Sequence, residues 1–187
     1  MAQEPVKALE PILEYILSES IENWGKRLIS VVMFGSFARG NAHEHSDIDL
    51  LVIVDNLPKD WRERGAFELS LERIGLKWSI PLQVILVEPE EVSLAINSIT
   101  SLLLEIREGY YCLFDREGFF RNEMKRLEEE MIKRGVRKLA EHKWEVPDIA
   151  RLAPCNHTHY PLNISVVDII QRSSPQNRRI LLQPRQI

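Results

Sequence analysis

Two apolar runs of strand length lie close together near the start of the chain, and the residues that join them restrict what it can fold into. The first, LISVVMF (28–34), is β-branched and uncharged and ends on Gly35; the second, DIDLLVIV (47–54), opens on two acids and is otherwise apolar. Runs of this kind are strands buried on both faces. Between them stands Gly35-Ser36, ten further residues, then Asp47-x-Asp49. If the strands run antiparallel, the Gly-Ser turn and the acid pair meet at one edge of a sheet, and the connection is long enough for that arrangement.

Each half of that edge has its own chemistry. Glycine lets the backbone approach a ligand closely, and free N–H groups at a helix start attract phosphate, with the Ser36 hydroxyl as a further donor. Asp47 and Asp49 are two apart on a strand, so their carboxylates project from one face, about 6–7 Å apart along the chain. Such a pair suits Mg²⁺, a hard cation that shares its shell with substrate phosphates. The alternative for the acids is a solvated strand entry, but two acids entering a buried run are costly without a cation or partner. Arg39 has two readings, a contact to a triphosphate or a pairing with a nearby acid. Ser46 is expected to shape the strand entry. The His43-Glu44-His45 triplet lies in a polar loop that needs no metal to explain it.

The rest of the chain supplies the cover for a sheet. Val6, Leu9, Ile12, Leu13, Ile16 and Leu17 make one stripe of a helix ending near Gly25. A helix over 58–75 turns Phe67, Leu71 and Ile74 to one side, and IPLQVILV (80–87) reads as a third strand, with Pro81 confined to its start or to an edge. Pro89 begins a helix, SLLLEIREG makes another, YYCLF adds a short edge strand, and a last helix over 117–134 buries Phe120, Met124, Leu127 and Met131. From 154 to the end, four of the ten prolines and four arginines share the sequence with one acid, Asp168, and no helical period is visible. The expected organisation is an α/β (α+β) domain over 1–150, with a mixed sheet of three or four strands and helices packed on it, followed by an irregular tail over 151–187.

Composition excludes several classes. Two cysteines, Cys112 and Cys155, are too few for a disulfide framework, and the N-terminus carries no apolar signal-type segment, so a reducing cytoplasm is the expected setting. No apolar run approaches the length of a membrane span. A net charge of −4 argues against wrapping long nucleic acid and leaves small nucleotides open.

GSFARG followed by SDIDLLV resembles the signature of the minimal nucleotidyltransferases of the DNA polymerase beta superfamily, and the resemblance extends over about 28–88 with the first helix in front. It implies a nucleotidyltransferase fold in which Gly35 and Ser36 hold the nucleotide's terminal phosphates, and Asp47 and Asp49 bind Mg²⁺. A hydroxyl acceptor would then take a nucleoside monophosphate from NTP, with ATP the expected donor. The family's third carboxylate corresponds to Gln83, which can offer a carbonyl oxygen but neither charge nor a proton acceptor. Glu88, five residues on, faces the other side of the strand. Two functions stay open: an Mg²⁺-dependent nucleotidyltransferase, or a catalytically impaired nucleotide-binding or antitoxin-type subunit that acts by binding a protein. The resemblance brings in a HEPN-type protein as partner, and homo-oligomers are compatible with it. RKLAEH (137–142) matches the HEPN Arg–His motif only loosely and is expected to be coincidental.

Overall fold

The computed structural model describes residues 7–147. The expected tail over 151–187 lies outside the described residues. The described residues fall into two units that divide between Lys133 and Arg134.

In the first unit the expected elements form in the expected order. Helix α1 (Glu10–Trp24), with Pro11 in its first turn, leads through a single 3-10 turn into β1 (Leu28–Phe34). The short α2 (Gly35–Arg39) follows at once, then β2 (Ile48–Val54), α3 (Trp61–Trp78), β3 (Leu82–Val87), α4 (Pro89–Ser98), α5 (Ser101–Arg107), β4 (Tyr110–Asp115) and α6 (Phe119–Lys133). The strands make one mixed sheet in the order β3-β2-β1-β4, with β1 antiparallel to β2 and β4, and β2 parallel to β3. Pro81 sits just before β3, where its missing N–H breaks no ladder bond and its carbonyl accepts the Ile48 N–H at 2.9 Å.

Strand alternation divides the core in two. Ile48, Leu50, Val52 and Val54 of β2, with Leu82, Val84 and Leu86 of β3, bury against Ile12, Leu13, Ile16 and Trp24 of α1 and Leu71 and Ile74 of α3. The intervening residues Asp49, Leu51 and Ile53, with Gln83, Ile85 and Val87, point to the opposite face. On that side α6 lies against β1, β4 and α4, burying Phe120, Met124, Leu127 and Met131 as the spacing predicts. The carboxyl of Asp115, almost wholly buried, starts α6: it accepts the Phe120 N–H at 2.8 Å and the Ser30 hydroxyl at 2.8 Å.

Helix α3 is capped by Asp60, which accepts the Arg62 N–H at 2.9 Å, and runs three residues beyond the expected end because Ser79, in a left-handed conformation, and not Gly75, stops it. Leu71, Ile74 and Gly75 are buried on its inner side, while Leu69, Leu76 and Trp78 are exposed. Glu88 caps α4 in a reciprocal arrangement with Glu91 and pairs with Arg64 at 3.0 Å. It serves that helix start, consistent with its odd offset from Gln83.

The second unit contains a β-hairpin, β5 (Arg137–Ala140) with β6 (Lys143–Glu145), which its short polar sequence does not announce. RKLAEH covers β5 and the turn after it, so Arg137 and His142 are hairpin residues.

Candidate functional site

Phe34, the last residue of β1, pairs with Asp49 of β2, and the chain turns out of the sheet at the next residue, Gly35. Gly35 has φ +76°, a conformation that favours glycine, and a Cβ on it would overlap Oδ2 of Asp49. The acid therefore packs directly on the backbone of the Gly-Ser turn. Gly35 opens helix α2, whose first N–H groups have no carbonyl one turn earlier to bond. Gly40, also left-handed, ends the helix with its N–H on the Phe37 carbonyl. The loop then closes on Ser46, whose hydroxyl accepts the His43 N–H at 2.9 Å while its own N–H reaches the His43 carbonyl at 2.9 Å. Ser46 thus shapes the strand entry, as expected from the sequence. His43 Nδ1 accepts the His45 N–H at 3.2 Å, so that ring nitrogen is taken up within its own turn.

Asp47 comes immediately before β2 and Asp49 is its second residue; both are half-buried. Burial, then the neighbouring Asp47 and then Glu105, push the Asp49 carboxyl up from 3.8 to about 7, against the pull of Arg39. Gln83 is the register partner of Asp49 in the parallel ladder, so it shares the face and the sheet edge of the acid. The expected third-carboxylate position is occupied by an uncharged amide.

Arg39 takes the second of its two readings, a pairing with a nearby acid. Its guanidinium lies 3.7 Å from Glu105 of α5, an ion pair beyond hydrogen-bond distance, while Nε and Nη1 are buried with no hydrogen-bond partner among the described protein atoms. Its shaft lies on Gly109, where a Cβ would come within 2.8 Å of Arg39 Cγ. Two donors that make no hydrogen bond are thus buried at the acidic edge, beside Glu105. Glu105 is the residue here that no sequence signal marks: it is one acid on a short helix, brought near Asp49 only by the packing of α5.

The donor set fits a hard divalent cation shared with a nucleotide better than one held by protein alone. Asp49 is desolvated and repelled by two other acids, a situation that a cation relieves. Yet no group of three or more His, Cys, Asp or Glu among the described residues could hold a metal by itself. Phosphate oxygens would have to complete the shell. Among the described residues no helix is long and apolar enough to cross a membrane.

A family model described as a nucleotidyltransferase domain matches residues 13–107. A Methanocaldococcus jannaschii protein named as a candidate protein adenylyltransferase is 38% identical over 148 residues, covering 76% of this chain and 97% of that protein. The protein adenylyltransferase MntA of Thermococcus cleftensis is 41% identical over 58 residues, 31% of this chain and 57% of the relative. A crystal structure of a toxin–antitoxin with AMP-PNP has a TM-score of 0.43 at 19% identity, covering 65% of this chain and 92% of that one.

Proposed function

Because the chain belongs to the nucleotidyltransferase domain family, we propose that it is an Mg²⁺-dependent adenylyltransferase that moves AMP from ATP to a hydroxyl on a protein. The observation that carries the proposal is the pairing of Phe34 with Asp49, which sets the Gly-Ser turn against the acid pair at one sheet edge. The 38% identity to a candidate protein adenylyltransferase supports the choice of a protein acceptor.

In this reading Gly35 and Ser36 hold the terminal phosphates through the α2 N–H groups and the Ser36 hydroxyl, and Arg39 swings its guanidinium from Glu105 to the same phosphates. Asp47 and Asp49 hold Mg²⁺, which when bound neutralises charge on the phosphates. The acceptor oxygen forms a bond to the α-phosphorus, the bond from that phosphorus to the β-phosphate oxygen breaks, and pyrophosphate leaves. Gln83 cannot take the acceptor's proton, which passes to solvent, and general-base assistance is typically about 10²–10⁴ in rate, so turnover is expected to be slow. Reaction in the cytoplasm, with a HEPN-type protein as acceptor, completes the proposal.

Gln83 also favours a second reading, a nucleotide-binding subunit that acts by holding a protein partner. The two separate in one assay. The chain is incubated with a candidate acceptor and ATP labelled on either the α- or the γ-phosphate. Transfer of the α-label alone supports the enzyme; saturable ATP binding without transfer supports the subunit; neither result with an intact fold refutes both.

A further inference from the structure

Helix α3 carries on its outer side a stripe whose spacing is the same in both directions, with an acid and a base exchanging places. Leu69, Glu72, Arg73 and Leu76 follow one another at spacings of three, one and three, which puts them on one face of the helix. The apolar pair is well exposed, Leu69 at 56% and Leu76 at 80%. Gly65, one turn before Leu69, has open space where a Cβ would stand, so a second backbone can come close. A groove of about 540 Å³ runs beside the stripe, lined by Leu69, Leu76, Ile80 and Leu82 among others.

We propose that this stripe is the self-association surface of the protein: two copies pack α3 against α3 antiparallel about a two-fold axis passing between Glu72 and Arg73. Under that axis Leu69 meets the partner's Leu76, and Glu72 meets the partner's Arg73, each contact occurring twice. An isologous interface requires such self-complementarity, because one patch must fit itself. An acid beside a base, flanked by leucines at equal spacing, provides it in charge and in shape.

The neighbouring sheet edge supports helix pairing over sheet extension. β3 is an edge strand, and the N–H of Leu86 within it is taken by the Glu68 carboxylate of α3 at 3.2 Å. A second β3 would have to displace that contact to add a strand. The acids of the candidate site project from the other face of the sheet from the one α3 covers, so pairing leaves the site open. An 18-residue helix is about 27 Å long, and one helix face falls at the small end of specific interfaces, so dissociation is expected in the micromolar range.

The test is sedimentation velocity on the full chain over about two decades of concentration centred on about 10 μM. Wild type should move from monomer to dimer. Glu72→Arg alone sets Arg against Arg across the axis, and Arg73→Glu alone sets Glu against Glu, so each should weaken association by about tenfold or more. An equimolar mixture of the two variants restores opposite charges at both contacts and should dimerise again. Leu76→Lys changes a residue that is 80% exposed and should leave the fold intact by circular dichroism while abolishing the dimer. A wild type that stays monomeric throughout overturns the proposal, as do single charge reversals that dimerise like wild type. A mixture that fails to recover overturns the two-fold arrangement.

Discussion

Replacing Asp49 with Asn should make the apo protein more stable, and by an amount that depends on pH. The carboxyl is raised from 3.8 to about 7, first by burial and then by Asp47 and Glu105. Between those values the folded state keeps a proton that the unfolded chain has released. Wild-type stability must therefore fall as pH rises through this window and level off above about 7. At about 1.4 kcal/mol per pH unit the full effect is on the order of 4 kcal/mol. Asparagine has the same shape and no charge to desolvate, so it escapes the loss. About 2 kcal/mol of the gap between variant and wild type should open below pH 5.5, and about 2 more between 5.5 and 8. For a chain of this size that is an upper limit of roughly 8–15 °C in Tm at pH 8. The assay is urea and thermal unfolding of both proteins at a series of pH values, with and without Mg²⁺ and ATP. Ligand should stabilise wild type at pH 8 by linkage and leave Asp49→Asn unmoved. A gap that is flat from pH 5 to 8, or a variant less stable than wild type at pH 8, would refute the argument that Asp49 is held against its own ionisation.

Three further outcomes are expected. Gly35→Ala should lose at least about 2 kcal/mol in denaturant unfolding and abolish ATP binding by calorimetry, since its φ of +76° strains an L-residue and its Cβ overlaps the Asp49 carboxylate. Gln83→Asp, beside Asp49 in register, should raise pyrophosphate release by a factor of up to about 10² to 10⁴ while making the apo protein less stable at pH 8; a fall in turnover would mean that the amide itself is needed. Asp115→Ala leaves the Ser30 hydroxyl and the Phe120 N–H without their acceptor in a buried place, which should cost about 2–3 kcal/mol by chemical denaturation and leave ATP binding intact.

The fold was legible wherever a segment carried a strong period or an unbroken apolar run. Residues 28–34 and 47–54 contain little but strand-forming apolar side chains, so both strands could be read directly, and the meeting of Gly35 with Asp49 followed on the condition that they pair antiparallel, as they do. Phe120, Met124, Leu127 and Met131 gave α6 by spacing. What escaped was set by contacts between distant segments. Glu105 is brought near Asp49 only because α5 packs beside the acid edge, and nothing in SLLLEIREG marks it. The end of α3 depended on a left-handed Ser79, four residues beyond residue 75, where the expected helix ended. The hairpin over 137–145 is short and mostly exposed, and its residues carry no alternating pattern.

The direct run from β1 through α2 into β2 has a consequence for the order of folding. Gly35, Ser36, Arg39, Asp47 and Asp49 lie on one antiparallel pair closed by a short connection, so the loop entropy of bringing them together is small and contact order within this unit is low. Gln83 and Glu105, by contrast, join only when β3 docks through its parallel crossover and α5 settles. The phosphate-and-acid half of the edge should therefore be formed in the folding transition state, with φ-values near one for substitutions in β1 and β2 and near zero in α5. A nascent chain emerging from the ribosome would carry Gly35, Ser36, Asp47 and Asp49 before Gln83 and Glu105 have been added.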